Sequence, residues 1–108
     1  MPPRSRKTDG EKISTPTPLT RDQIQRRLQD LAGWSLVQGK LYAEYTFPDF
    51  ISAFGFMTRV AIVAQSANHH PEWSNTYNKV RIHLTTHDAG GISERDFSLA
   101  RRIDSLVR

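Results

Sequence analysis

Cysteine is absent from the chain, which excludes disulfide staples, thiolate zinc sites, iron–sulfur clusters and a thiol nucleophile. No apolar run approaches the roughly 20 residues that a membrane-spanning helix needs. The opening MPPRSRKTDGEKISTPTP lacks the apolar core of a secretory signal, and Asp9 and Glu11 count against a mitochondrial transit peptide. Its Pro, Ser, Thr and Lys content reads as a disordered tail over residues 1–18. No basic stripe interleaved with aromatics is present, so direct nucleic-acid binding is not expected. The formal net charge of +4 is dispersed: +2 from residues 1–12, +2 from 13–40, −1 from 41–80 and +1 from 81–108. No G-x-S-x-G elbow marks a serine nucleophile, and Gly90-Gly91 lacks the spacing of a phosphate loop. What remains is one domain, residues 19–108, expected to be soluble and intracellular.

Histidine is what the chain concentrates. His69, His70, His83 and His87 share one nineteen-residue window, and no other position carries an imidazole.

Periodicity places that window in a fold. Thr20 and Gln23 have the form of a capping box, and Ile24, Leu28 and Leu31 recur at i, i+4, i+7, predicting a helix over 21–32 that stops at Gly33. Trp34–Val37 and Leu41–Phe47 flank a turn at Gln38-Gly39-Lys40 and predict a hairpin. Asp49 is the expected N-cap of a second helix, Phe50–Ser66. Phe50, Ala53, Phe54, Phe56, Met57, Val60, Ala61, Val63 and Ala64 cover half of its circumference, an arc that one sheet face can absorb. Ile51 and Ile62 form a separate strip, which suits either a subunit contact or ordinary surface. Pro71 ends helical propagation. Trp73–Tyr77 and Val80–Thr86 predict a second hairpin around Asn78-Lys79, with Arg81, His83 and Thr85 sharing one face and His87 continuing it. Ser93 and Asp96 cap a last helix in which Leu99, Ile103 and Leu106 recur. The order α-β-β-α-β-β-α predicts a two-layer α+β domain: a four-stranded antiparallel sheet with the helices on one face.

A metal pair at His83-x3-His87 requires a helix, but Val80, Ile82, Thr85 and Thr86 favour a strand. On a strand those Cα atoms lie about 13 Å apart, too far to share bonds of about 2.0 Å to one ion. Proton transfer suits the residues better, because imidazole titrates near pH 6.5 and can both give and take a proton. His69 and His70 end a helix and His87 ends a strand, and such termini commonly border a cleft.

The string His69-His70-Pro71-Glu72-Trp73-x3-Tyr77-x2-Val80-x3-Leu84-x-Thr86-His87-x2-Gly90-Gly91 resembles the pterin-4a-carbinolamine dehydratase family. Ala53–Ala61 and Ser93-Glu94-Arg95-Asp96 are similar to animal members, and the likeness spans residues 20–108. The resemblance implies removal of water from 4a-hydroxytetrahydropterin to give quinonoid dihydropterin, which recycles a hydroxylase cofactor. No cofactor or metal is implied. Carried over by position, His69, His70 and His87 are the catalytic trio, with His69 and His87 assigned to proton transfer and His70 to polarising the pterin. Asp96 matches an acidic residue beside the site, Trp73 a pocket wall, and Gln65 a substrate-binding position that usually carries Glu. Asn68 stands where Asp is common. Both changes remove negative charge beside the acid. His83 matches no catalytic position. The resemblance also implies a homo-oligomer, dimer or tetramer, built through the Phe50–Ser66 helix. In animals such proteins partner a homeodomain transcription factor, so a protein-binding role in cytoplasm or nucleus is the alternative to catalysis.

Overall fold

The computed structural model describes residues 16–107. Most of the expected tail lies outside the described residues. Residues 16–20 run as irregular backbone, and Leu19 is tied to the far end of the domain by its N–H donating to the Ile92 carbonyl at 2.8 Å.

The elements in chain order are α1 (Arg21–Leu28), β1 (Ser35–Val37), β2 (Lys40–Thr46), α2 (Phe50–Ala67), β3 (Glu72–Thr76), β4 (Lys79–Leu84), a one-turn 3-10 helix (His87–Ala89) and α3 (Glu94–Ser105). All strands are antiparallel in the order β1-β2-β4-β3. The α+β expectation holds, with β4 and β2 central.

Each helix start obeys local chemistry. Thr20 and Gln23 form a reciprocal capping box at α1, and Ser93 and Asp96 form one at α3. Asp49 accepts from the Ser52 N–H at 2.8 Å to open α2. Deleting such a cap typically costs about 1 kcal/mol. Helix α1 is shorter than its periodicity predicts. Past Leu28 the chain tightens into i→i−3 bonds, from Gln29 to Arg26, Asp30 to Arg27 and Leu31 to Leu28, which still deliver Leu31 to the core.

The first hairpin turns through Gln38 (φ 53°) and Gly39 (φ 76°), both left-handed, as a two-residue turn that matches strand twist requires. The second turns at Tyr77-Asn78, one residue earlier than expected, since Thr76 pairs with Lys79. Asn75 explains the shift: its Nδ2 donates to the carbonyls of Tyr77 (3.1 Å) and Lys79 (2.8 Å), holding Tyr77 at φ 50°.

One sheet face is covered. Leu41, Ala43, Val80, Ile82 and Leu84 point into a core shared with Phe56, Val60, Phe97, Leu99 and Ile103. Burying one such side chain contributes roughly 1.5–3 kcal/mol. Helix α2 seats the stripe Ala53, Phe56, Val60 and Ala64 on the sheet. The wide apolar arc is absorbed only in part, because Phe50 and Phe54 remain about half exposed beside Ile51 at 80% and Ile62 at 65%. By length and composition alone, α2, with 18 residues and mean hydropathy 1.3, is long and apolar enough to cross a membrane, closer than the sequence reading allowed. Its buried stripe, packed against the sheet, is that of a core helix. At the other end of the sheet, Trp34 Nε1 (3.1 Å) and the Tyr45 hydroxyl (2.5 Å) both donate to Asp104 Oδ1, joining α3 to the first hairpin.

Candidate active site

Helix α2 ends at Asn68, whose left-handed backbone (φ 51°) turns the chain sharply. The His69 N–H donates back to the Ala64 carbonyl at 3.0 Å, and Pro71 then forbids further helix. Because the backbone is extended past that turn, the paired imidazoles diverge. His69 enters the protein at 8% exposure, while His70 faces solvent.

Below His69 lies Asp96, fully buried at the third position of α3. Its Oδ1 is 2.6 Å from His69 Nε2. Its Oδ2 accepts from the Ser93 N–H at 2.9 Å and from Thr86 Oγ1 at 2.7 Å. A buried carboxylate is tolerated only when its lone pairs are met, and here they are, with the positive end of α3 adding to the compensation. One side chain therefore both caps a helix and holds a histidine. Since an ionised carboxylate can only accept, His69 donates through Nε2–H, which leaves Nδ1 as the nitrogen with a free lone pair.

His87 arrives by a different route. Strand β4 stops at Leu84, Thr86 bridges to Gly91, and His87 opens the 3-10 turn that Gly90 (φ 75°) closes. The expectation that His87 ends the strand is thus corrected: it lies in the turn beyond β4, although its side chain still meets Glu72, the cross-strand partner of His83. Its side chain is 81% exposed, with Nε2 3.4 Å from Glu72 Oε2. Glu72 also lies 2.5 Å from Lys40 Nζ. The Lys40 hydrogen bond holds the Glu72 carboxyl below its ordinary range, with His87 adding to the effect.

His69, His70 and His87 line one cavity of about 360 Å³ together with Thr86, Asp88 and Arg95. A larger hollow of about 810 Å³ lies beside it, between residues 16–19, α1 and the start of α3, and contains no imidazole. Arg95 and Asn68 border both, and the Arg95 guanidinium donates to the Asn68 carbonyl at 2.8 Å. Among the described residues no group of three or more His, Asp or Glu side chains is arranged to hold a metal ion. The chemistry at hand is proton transfer by imidazoles of unequal burial, one backed by a carboxylate.

A family model for pterin 4 alpha carbinolamine dehydratase matches residues 17–106. The chain belongs to this family. Membership makes it a dehydratase, a carbon–oxygen lyase. A protein of Solibacter usitatus named as a pterin-4-alpha-carbinolamine dehydratase is 54% identical over 91 residues, covering 84% of this chain and 96% of its own. One of Burkholderia orbicola with the same name is 56% identical over 91 residues, covering 82% and 89%. The crystal structure of a transcriptional coactivator/pterin dehydratase from Brucella melitensis has a TM-score of 0.81 at 37% identity, covering 85% of this chain and 100% of that one.

The dehydratase fold distributes the other expected residues unevenly. The Gln65 amide oxygen accepts from His70 Nε2 at 2.9 Å, which puts it beside the trio. Asp96 lies beneath His69 and out of solvent, in contact with two residues that line the cavity, His69 and Thr86. Trp73 is on the inward face of β3, partly buried against the core, and is not among the residues lining the cavity. His83 is on the uncovered sheet face, its ring 4.7 Å from that of Tyr42. Three residues at the site were not singled out from the sequence. Thr86 and Arg95 stood in the recognised strings without a role of their own, and Glu72 meets His87 only because the β3–β4 pairing brings the two together.

Proposed function

We propose that this chain converts 4a-hydroxytetrahydropterin to quinonoid dihydropterin and water. The C4a–O bond breaks as the hydroxyl takes up a proton, the N5–H proton leaves, and the C4a=N5 double bond forms. One imidazolium supplies the first proton and one neutral imidazole accepts the second, so the protein ends the cycle with no net proton gained or lost. We assign these transfers to His69 and His87, and the polarising of the pterin ring to His70, with Gln65 holding that ring. Asp96 orients His69 through the 2.6 Å hydrogen bond to Nε2. The observation that carries this reading is the convergence of three imidazoles on one 360 Å³ cavity with a buried carboxylate behind one of them.

The test generates the carbinolamine with a tetrahydropterin-dependent hydroxylase and follows its ultraviolet decay, with and without the protein, in the presence of a chelator. Acceleration by wild type is expected, with a loss of about 100- to 10,000-fold on replacing His69 or His87 by Ala, the usual worth of general acid–base groups. A wild type that leaves the decay unchanged defeats the reading. Activity that survives His69→Ala plus His87→Ala moves the chemistry elsewhere.

A second reading, protein binding, is favoured by one observation. The outer face of α2 exposes Phe50, Ile51, Phe54 and Ile62 together. Four large apolar side chains left exposed on one helix suit a contact surface. We infer a homo-oligomer through this helix, with a transcription-factor partner as the alternative occupant.

A further inference from the structure

Thr86 touches both halves of the site, and the reaction scheme above gives it nothing to do. Its side chain is 98% buried by area, being 2% exposed. Its Oγ1 lies 2.7 Å from Asp96 Oδ2 and 2.7 Å from Ser93 Oγ. The direction of these bonds follows from valence. An ionised carboxylate can only accept, so the Thr86 hydroxyl donates to Asp96. With its single proton committed, Thr86 must accept from Ser93. A one-way chain results: Ser93 Oγ–H to Thr86, Thr86 to Asp96, and His69 to the other carboxylate oxygen. Because that proton is already engaged, Thr86 is no acid for the substrate.

The backbone of the same residue sets the second histidine. The Thr86 N–H donates to the Gly91 carbonyl at 3.1 Å. Its carbonyl accepts from the N–H groups of Ala89 (3.0 Å) and Gly91 (3.3 Å). These bonds close the short turn on which His87 is the first residue.

We propose that Thr86 is a positioning residue for the dehydration, its hydroxyl aligning Asp96 on His69 while its backbone fixes His87. This rests on the dehydratase reading above. Without the hydroxyl, Asp96 Oδ2 keeps only the Ser93 N–H and is free to rotate away from His69. The His69 ring then loses its fixed tautomer. Residues that orient a functional imidazole from behind are commonly worth about 10- to 100-fold.

The experiment compares Thr86→Val, Thr86→Ser, Asp96→Asn and the Thr86→Val/Asp96→Asn pair in the carbinolamine assay, with folding followed by circular dichroism. We expect Thr86→Val to lower kcat about tenfold with KM within twofold of wild type, and to distort the pH–rate profile. Thr86→Ser, which keeps the hydroxyl, should recover most of that loss. The pair should lose no more than Asp96→Asn alone, because Thr86 acts through that carboxylate. Full additivity overturns the proposal, as does a Thr86→Val enzyme running at the wild-type rate. If Thr86→Val fails to fold, Thr86→Ala takes its place, since it opens space instead of crowding the carboxylate. A folded Thr86→Ser as slow as Asp96→Asn also overturns the proposal. A wild type with no activity overturns the dehydratase reading itself, and is thereby distinguished from a failure at Thr86 alone.

Discussion

Asp96 ties three parts of the site together. Two oxygens meet three donors: the imidazole of His69, the hydroxyl of Thr86 and the backbone of Ser93. An amide cannot reproduce this. If its oxygen faces His69, its NH2 meets two donors. If its NH2 faces His69, the tautomer reverses. Asp96→Asn should therefore lose about 100-fold in kcat and about 1–3 kcal/mol of stability, checked by steady-state kinetics and urea unfolding. Gln65 predicts the opposite sign. Placing a carboxylate 2.9 Å from His70, as Gln65→Glu would, favours the imidazolium. The pH–rate profile of that variant should extend to higher pH, and an unchanged profile would mean that His70 does not titrate in the reaction. At this scale the sequence revealed the imidazoles and the acidic residue by type and position. It could not reveal that Thr86 is buried between them, because a threonine at a strand end has no chemical signature until its neighbours are known.

Among the elements, the helix starts were the most legible. Thr20/Gln23, Asp49 and Ser93/Asp96 all make the caps that their spacing predicts. Asp49 gives this a pH dependence. The Ser52 N–H, followed by the Ser52 hydroxyl, holds the Asp49 carboxyl below its usual range. A group whose folded pKa is depressed contributes fully above the pKa of an unfolded aspartate, about 3.9. That contribution disappears as pH falls through the lower folded value. Asp49→Ala should thus melt at a lower temperature than wild type at neutral pH, and the gap should close in acid. Thermal scans at several pH values measure it. The turns and ends were less legible. Tyr77, held by Asn75, took the left-handed position where Asn is the commoner choice, and i→i−3 bonds cut α1 short at Leu28. Helix α2 has by periodicity a broad apolar arc for the sheet and a separate strip at Ile51 and Ile62, yet Phe50 and Phe54 of that arc lie half exposed, their tilted rings 5.9 Å apart. Periodicity gives the direction of a side chain but says nothing of how much sheet is available to cover it.

For the molecule as a whole, that outer face of α2 sets an expectation about assembly. Wild type should scatter light as an oligomer at micromolar concentration, and Ile51→Arg plus Ile62→Arg should scatter as a monomer with its melting temperature for the isolated domain preserved. A monomeric wild type would refute the contact. The strand order has a further consequence. Both hairpins are local, whereas the β2–β4 seam, from Leu41 opposite Leu84 to Thr46 opposite Lys79, joins residues some 40 positions apart. Opening that seam separates the two halves of the domain, so its amides should exchange with deuterium only at global unfolding, those of Ala43 and Ile82 last. Strand β3 has a neighbour on one side only, and it directly follows His69 and His70. Its amides should exchange sooner, through excursions that loosen the mouth of the cavity while the core stays shut. A ligand that fills the cavity should then slow exchange in β3 and leave the seam unchanged, reporting occupancy without any turnover.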